Sequence, residues 1–334
     1  MQRRKLMFAG LGAIAMLPAW RLACGDPLPG TIARSEALPS GQRLYRGADL
    51  AFGTTVSIQL VLDDGPRAER AIADAFARAK SIDSLMSIYS DASQVHALNR
   101  RGRIEQPHPH LLEVLKVSRK LAEMTDGAFD VTVQPLWAAS MGRADRRQAK
   151  ELVSWRDLVF DTHKVELRRP GMAVTLNGIA QGYATDIALA ALREHGVRQA
   201  LLDIGEFRNA GRRSAARPWV VGIQDPRRHD SIIGSVGMDG RGVATSGDYE
   251  TPFTDDFSQH HIWDPHTGYS PVELAGVTVL APDTTMADGL STAFMVMGME
   301  KSMALAERMD GVDAVFIDKK GQRRHTKGIN WISI

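Results

Sequence analysis

The segment Ala287-Asp288-Gly289-Leu290-Ser291-Thr292 sets a carboxylate and a hydroxyl four residues apart. On a helix that spacing puts the oxygens of Asp288 and Thr292 on one face. A carboxylate with a hydroxyl is a hard-oxygen set, suited to Mg2+ and unsuited to zinc. Mg2+ keeps waters and takes remaining ligands from phosphate, so one carboxylate suffices. The alternative is that Asp288 caps the helix and Thr292 packs. A second segment, Asn177-Gly178-Ile179-Ala180-Gln181-Gly182-Tyr183, carries two glycines four apart. Such glycines let the backbone approach a ligand, and helix-start amides favour an anion. The segment has neither G-x-G-x-x-G nor G-K-[ST], so it is not a dinucleotide fingerprint or a P-loop, and an ordinary turn is the competing reading.

The run from His260 to Tyr269 holds three histidines, His260, His261 and His266, around Asp264. A histidine near an aspartate can act as a base or orient a hydroxyl nucleophile. Three histidines could also hold a transition metal. Asp264-Pro265 and Thr267-Gly268 mark a turn, so a surface hairpin is the third reading. Tyr89, and Phe129 within Gly127-Ala128-Phe129-Asp130-Val131-Thr132, each place an aromatic beside polar groups, as a stacked ring ligand needs. By composition alone, core packing explains both more cheaply.

These segments need elements to hold them. Thr54 to Leu62 alternates as a half-buried strand, and Asp63-Asp64-Gly65-Pro66 turns into a helix whose apolar face runs from Ala68 to Ile82. Helices are expected from His110 to Met124, Tyr183 to His195 (ended by Gly196), Ala287 to Met297 and Glu300 to Met309. Strands are expected around Leu158 and Val174, and over Ala200–Ile204, Trp219–Ile223, Val277–Leu280 and Ala314–Ile317. Strands and helices alternate without a strict βαβ rhythm, which defines a mixed α/β class. No internal repeat is visible. Arg208 to Arg217 is the most linker-like run, and no clear domain boundary follows from it.

The chain has 334 residues, 44% hydrophobic and 24% charged, with one cysteine, Cys24. That excludes a disulfide framework and a multi-cysteine metal site. Arg3, Arg4 and Lys5 precede an apolar run from Leu6 to Ala19, too short to span a bilayer comfortably. We read residues 1–23 as a signal peptide of twin-arginine type, with an ordinary secretory signal or membrane anchor as alternatives. Residues 24–43 read as a tether, and Cys24 after Leu22 and Ala23 faintly matches a lipoprotein site with Arg21 against it. The leader carries four basic residues and no acid, so a chain of net charge +2 becomes −2 without it. A body so charged, with no basic run, gives nucleic acid nothing to hold.

In order along the chain, Tyr89 with Ser93 and Asn99, Gly127-Ala128-Phe129-Asp130, Gly178-Ile179-Ala180-x-Gly182-Tyr183, Thr245-Ser246-Gly247, His261-x-x-Asp264-Pro265-x-Thr267-Gly268 and Ala287-Asp288-x-x-Ser291-Thr292 form a set. The set resembles the ApbE family of FAD:protein FMN transferases from about Phe52 to Ile317. The resemblance implies one Mg2+-dependent catalytic domain, 44–334, of α/β type and related to the T-fold. FAD would lie in a cleft, its rings against Tyr89 and Trp263 and its polar edges near Phe52, Ala128, Phe129 and Asp130. Metal ligands would be the Gly178 backbone oxygen, the Asp288 carboxylate, and oxygens of Ser291 and Thr292. His261 matches the family's essential histidine. An acceptor hydroxyl would attack the FMN phosphorus and AMP would leave.

The chain departs from the family at Thr175, Gln181 and Glu206, where an acid, a Lys or Glu, and a glycine are usual. Those positions contact flavin or shape its pocket. Thr175-Leu176-Asn177-Gly178-Ile179-Ala180-Gln181-Gly182 and Asp203-Ile204-Gly205-Glu206-Phe207 resemble the NosX branch, accessory to nitrous oxide reductase. With the leader, this implies flavinylation of a NosR-like membrane flavoprotein in the periplasm. An FAD pyrophosphatase and a non-catalytic flavin carrier are the competing functions.

Overall fold

The computed structural model describes residues 28–38 and 41–333. The leader and Cys24 lie outside the described residues. Among those described, nine strands form one antiparallel sheet: β1 (Thr31–Ala37), β2 (Arg43–Ala51), β3 (Thr54–Leu62), β7 (Ala200–Asp203), β8 (Phe207–Ala210), β11 (Gly242–Gly247), β12 (Leu274–Ala281), β13 (Asp313–Asp318) and β14 (Arg323–His325), in that spatial order. A three-stranded sheet holds β9 (Val220–Asp225), β10 (Arg228–Gly237) and β15 (Trp331–Ile332). Another holds β4 (Arg103–Glu105), β5 (Leu158–Phe160) and β6 (Lys164–Leu167). The helices are α1 (Gly65–Met86), α2 (Gln94–Arg101), α3 (Pro109–Met124), α4 (Gln134–Ser140), α5 (Arg146–Glu151), α6 (Ala180–Glu194), α7 (Thr284–Met297) and α8 (Met299–Ala306). The chain is thus a mixed α/β domain.

The alternation of each strand divides its side chains between two cores. Val56, Ile58 and Leu60 of β3 pack with Ala68, Ile72, Ala75 and Ala79 of α1, and with α6 and α7. On the opposite face Leu44, Val61, Val243, Leu280 and Val315 pack against Trp219, just before β9, and against Val221 and Val236 of the sheet of β9, β10 and β15. β12, covered on both sides, is buried at every position, as its unbroken run Leu274–Ala281 requires.

Five expectations change, one being that the helix expected from Tyr183 starts at Ala180. Thr31–Ala37, inside the segment read as a tether, pairs with β2 as an edge strand. Arg208 belongs to β8, so the linker-like run shrinks to the loop after Ala210. Val174 lies in no sheet: Asn99 pairs with its backbone instead, donating from Nδ2 to Val174 O at 2.8 Å and accepting from Val174 N–H at 2.7 Å. One amide side chain thereby replaces a strand neighbour. The helix expected from Ala287 starts at Thr284, one turn earlier.

Candidate functional site

The site forms where α6 and α7 run antiparallel. Gly182 N–H donates to Asp288 Oδ2 at 2.9 Å. A Cβ on Gly182 would stand 2.3 Å from Thr284 O and 2.7 Å from Asp288 Cβ, so only glycine permits this approach. One turn further, a Cβ on Gly178 would meet Thr292 Oγ1 at 2.9 Å. One turn back, Asp186 accepts from Thr284 N–H (3.1 Å), Thr285 N–H (2.8 Å) and Thr285 Oγ1 (2.7 Å). Asp186 therefore satisfies two orphan donors at the start of the neighbouring helix.

The capping alternative for Asp288 fails. The cap is Asp283, whose Oδ1 accepts from Met286 N–H at 2.7 Å. Asp288 sits within the helix, 4% exposed. Burial pushes its carboxyl pKa up, the Gly182 N–H opposes this, and the Asp186 carboxylate adds to it. Around it hydroxyls converge. Ser291 Oγ donates to Asp288 O at 2.8 Å, and Ser246 Oγ lies 2.7 Å from Ser291 Oγ and 3.2 Å from Thr292 Oγ1. Ser246 enters from the end of β11. The fold thus gathers Gly178, Asp288, Ser291 and Thr292, with Ser246 beside them.

Glu206 joins this neighbourhood from the β7–β8 turn, its Oε2 accepting from Thr245 N–H at 3.1 Å. Burial holds its carboxyl well above the usual range, and the Asp288 carboxylate raises it further. Buried like charges of this kind are relieved by a cation. Hydroxyl and carboxylate oxygens are the donors a hard cation takes. Among the described residues no group of three or more His, Cys, Asp or Glu could hold a metal, so the reading of His260, His261 and His266 as a transition-metal site has no support.

Those histidines face different ways. His260 is fully buried, its N–H donating to Ser270 Oγ at 2.9 Å and its Nε2 lying 3.0 Å from Pro271 O. His266 is exposed, its N–H held by Asp264 Oδ1 at 2.8 Å. His261 Nδ1 is buried and has no hydrogen-bond partner among the described residues. Burial, with His260 adding and Asp248 opposing, pushes the His261 pKa down to about 4. At neutral pH the ring is therefore uncharged and can accept a hydrogen bond.

The flavin-directed residues divide. Asp130 is 8% exposed, and its carboxylate accepts from Thr132 N–H (2.8 Å), Thr132 Oγ1 (2.6 Å) and Trp155 N–H (2.9 Å). It shapes its loop from within, while burial pushes its pKa up. Ala128 and Phe129 are also buried. Tyr89 is 75% exposed, an aromatic open to a ligand. Trp263 is buried with Leu136 and Ala149, stacked on Phe253 at 6.0 Å and 5.4 Å from the Arg146 guanidinium. No ring contact or hydrogen bond among the described residues links Tyr89 to Trp263, so the two do not form a closed clamp. Phe52 occupies a two-residue β2–β3 turn with Gly53, at φ of 52° and 73°, the type I′ signature. Its N–H donates to Asp83 Oδ2 at 2.7 Å. Thr175 Oγ1 accepts from Asn177 N–H at 3.3 Å, bracing the turn before Gly178. Gln181 covers Gly205, which has φ of 96° and whose Cβ would lie 2.1 Å from Gln181 Nε2.

An antiparallel sheet carrying two helices whose contact gathers a carboxylate and hydroxyls defines the class: a mixed α/β domain with a hard-oxygen site. The model of the ApbE family matches residues 52–316. The chain belongs to the ApbE family. The FAD:protein FMN transferase of Treponema pallidum is 32% identical over 321 residues, covering 86% of this chain and 88% of the relative. That of Haemophilus influenzae is 30% identical over 284 residues, covering 77% and 82%. The apo flavinyl transferase ApbE of Pseudomonas stutzeri superposes with a TM-score of 0.74 at 30% identity, covering 90% of this chain and 97% of that one. The ApbE protein of Thermotoga maritima gives 0.75 at 29%, covering 85% and 97%.

Proposed function

We propose that this chain is a Mg2+-dependent FAD:protein FMN transferase, moving FMN from FAD to a threonine or serine hydroxyl of a target protein and releasing AMP. The observation that carries the reading is the convergence of Gly178, Ser246, Asp288, Ser291 and Thr292 at the α6–α7 contact, in a chain whose relatives are named for that reaction. Asp288, Ser291, Thr292 and the Gly178 carbonyl would hold the cation. When bound, Mg2+ supplies charge neutralisation at the pyrophosphate. Gly182 N–H fixes the orientation of the Asp288 carboxylate. Neutral His261 orients the acceptor hydroxyl and takes its proton as oxygen bonds to the FMN phosphorus and the bond to AMP breaks. Tyr89, exposed, offers a face to the flavin.

On the same reading the chain acts in the periplasm, exported through the Arg3-Arg4-Lys5 leader. The Thr175–Gly182 and Asp203–Phe207 segments support the NosX branch and a NosR-like membrane flavoprotein as acceptor. The test incubates the mature protein with FAD, Mg2+ and an acceptor fragment, with EDTA in a parallel arm. An FMN adduct and AMP that both vanish with EDTA are expected. Free FMN and AMP without adduct would make the chain a pyrophosphatase, and intact bound FAD would make it a carrier.

A further inference from the structure

Asp248 lies two residues beyond Ser246, is fully buried, and hydrogen-bonds to neither the oxygen cluster nor the His261 ring, on which its carboxylate acts through charge. Its carboxylate accepts two bonds from Arg227, at 2.7 and 2.8 Å, and lies 3.3 Å from Lys319 Nζ. The three charges come from three places: the turn after β9, the segment after β11, and the residue following β13. Both cations then reach one further residue, Phe257. The Arg227 guanidinium lies 4.2 Å over the Phe257 ring, and Lys319 Nζ donates to the Phe257 carbonyl. Phe257 has φ of 57°, a left-handed conformation that a bulky residue holds only when its surroundings impose it.

Phe257 is the far point of a closed loop. Phe253 N–H donates to Gln259 O at 2.7 Å, Pro252 bridges to His260, and His261 N–H donates to Thr251 O at 3.2 Å. The loop therefore returns on itself and delivers His261 at its exit. His261 Nδ1 has no hydrogen-bond partner among the described residues, and the ring meets His260, its neighbour in the same loop, edge-on at 6.3 Å. Its position is inherited from the backbone of the loop, which is held beside the ring by the bonds of His260 to Ser270 and Pro271 and at its far point by Phe257.

We infer that the Arg227–Asp248–Lys319 cluster is a positioning device for His261, with Asp248 as its centre: it locks the 251–261 loop against the sheet so that the imidazole meets the reacting hydroxyl. The inference rests on the transferase reading for the role of His261. The structural part, that the cluster pins the loop, stands without it. A buried ion pair broken on one side leaves an uncompensated charge, so Asp248→Asn alone risks unfolding. Lys319→Met is the milder probe, because it leaves Arg227 and Asp248 paired.

The experiment measures FMN transfer, FAD dissociation constant and amide hydrogen exchange for parent, Lys319→Met, Lys319→Arg, His261→Ala and the Lys319→Met/His261→Ala pair. Lys319→Met is expected to lower kcat at least ~10-fold with FAD affinity within ~2-fold of parent, and to speed exchange of the 252–261 amides while Gly242–Gly247 is unchanged. Lys319→Arg, which keeps a cation at Asp248 and Phe257, is expected to restore most of kcat. In the His261→Ala background Lys319→Met should cost no further rate, because the two act as one unit. An equal loss of rate in that background, or parallel loss of FAD affinity and of protection throughout the sheet, overturns the inference. If the parent transfers no FMN while the exchange result holds, the transferase reading fails and the loop anchor survives.

Discussion

Asp288, Gly182 and His261 each do what burial and neighbours make them do. Asp288 is enclosed, tied to a backbone N–H and flanked by hydroxyls, so its removal deletes the only carboxylate among the assigned cation ligands. Asp288→Ala is expected to lower Mg2+-dependent transfer by ~1,000-fold, several kcal/mol of charge stabilisation, and to abolish cation binding measured by calorimetry. Full activity in that variant would refute the ligand assignment. His261→Ala is expected to slow transfer ~100- to 10,000-fold with FAD still bound, as loss of a general base does. Loss of FAD binding would make His261 structural. His261 also has a pH signature. Its pKa falls from 6.5 to about 4 on folding, so the unfolded chain binds its proton first as pH drops. Stability attributable to neutral His261 is therefore full above pH 6.5 and is lost between about 6.5 and 4, by ~3 kcal/mol at most. The difference between parent and His261→Gln in denaturant unfolding across that window should show it, and a flat difference would contradict the burial.

At the scale of elements, the α6–α7 contact is the device that assembles the oxygens. Gly182 allows it sterically, and Asp186 clamps its far end. Gly182→Ala is expected to cost about 1–3 kcal/mol through collision with the Thr284 carbonyl, with a lower Tm and weaker cation binding together. Asp186→Ala removes the donors' partner at the start of α7 and is expected to cost about 1–2 kcal/mol. Unchanged Tm in both would mean that the helices do not depend on this contact. Part of this was legible: Asp288 and Thr292 stand four apart on one helix face, and Gly178 and Gly182 mark a close backbone approach, whereas the meeting of the two segments rests on tertiary contact. Asp186 continues the same four-residue series after Gly182 and could have been found by extending it. The start of α7 was misjudged because Thr284–Met286 lacks the apolar signal that marks a buried turn, while its true cap, Asp283, follows a proline. Val174 was misread as a strand because its local sequence is strand-like and the partner that replaces the sheet, Asn99, is 75 residues away.

For the whole molecule, one sheet carries the site on its helical face and packs against the sheet of β9, β10 and β15 on the other. The mixed α/β class was readable from interspersed strands and helices, whereas the strand order, with β7 and β8 between β3 and β11, depends on contacts distant in sequence. The aromatic pair Tyr89 and Trp263 shows the limit of motif order. Both occur where a flavin-binding chain would have them, but only tertiary packing decides that Trp263 is enclosed by Phe253 and Arg146 while Tyr89 stays open. The three-way meeting of Arg227, Asp248 and Lys319 is invisible in sequence for the same reason.

On the proposed function, the oxygens around Asp288 and the neutral His261 together transfer FMN from FAD to a protein hydroxyl. The most direct measurement is intact-mass and peptide-mass analysis of an acceptor fragment after incubation with this protein, FAD and Mg2+, with AMP quantified in the same sample. One FMN on a threonine or serine is expected for each AMP released, with both products lowered ~1,000-fold in Asp288→Ala. AMP without modified acceptor, or an adduct formed equally well by Asp288→Ala, would contradict it.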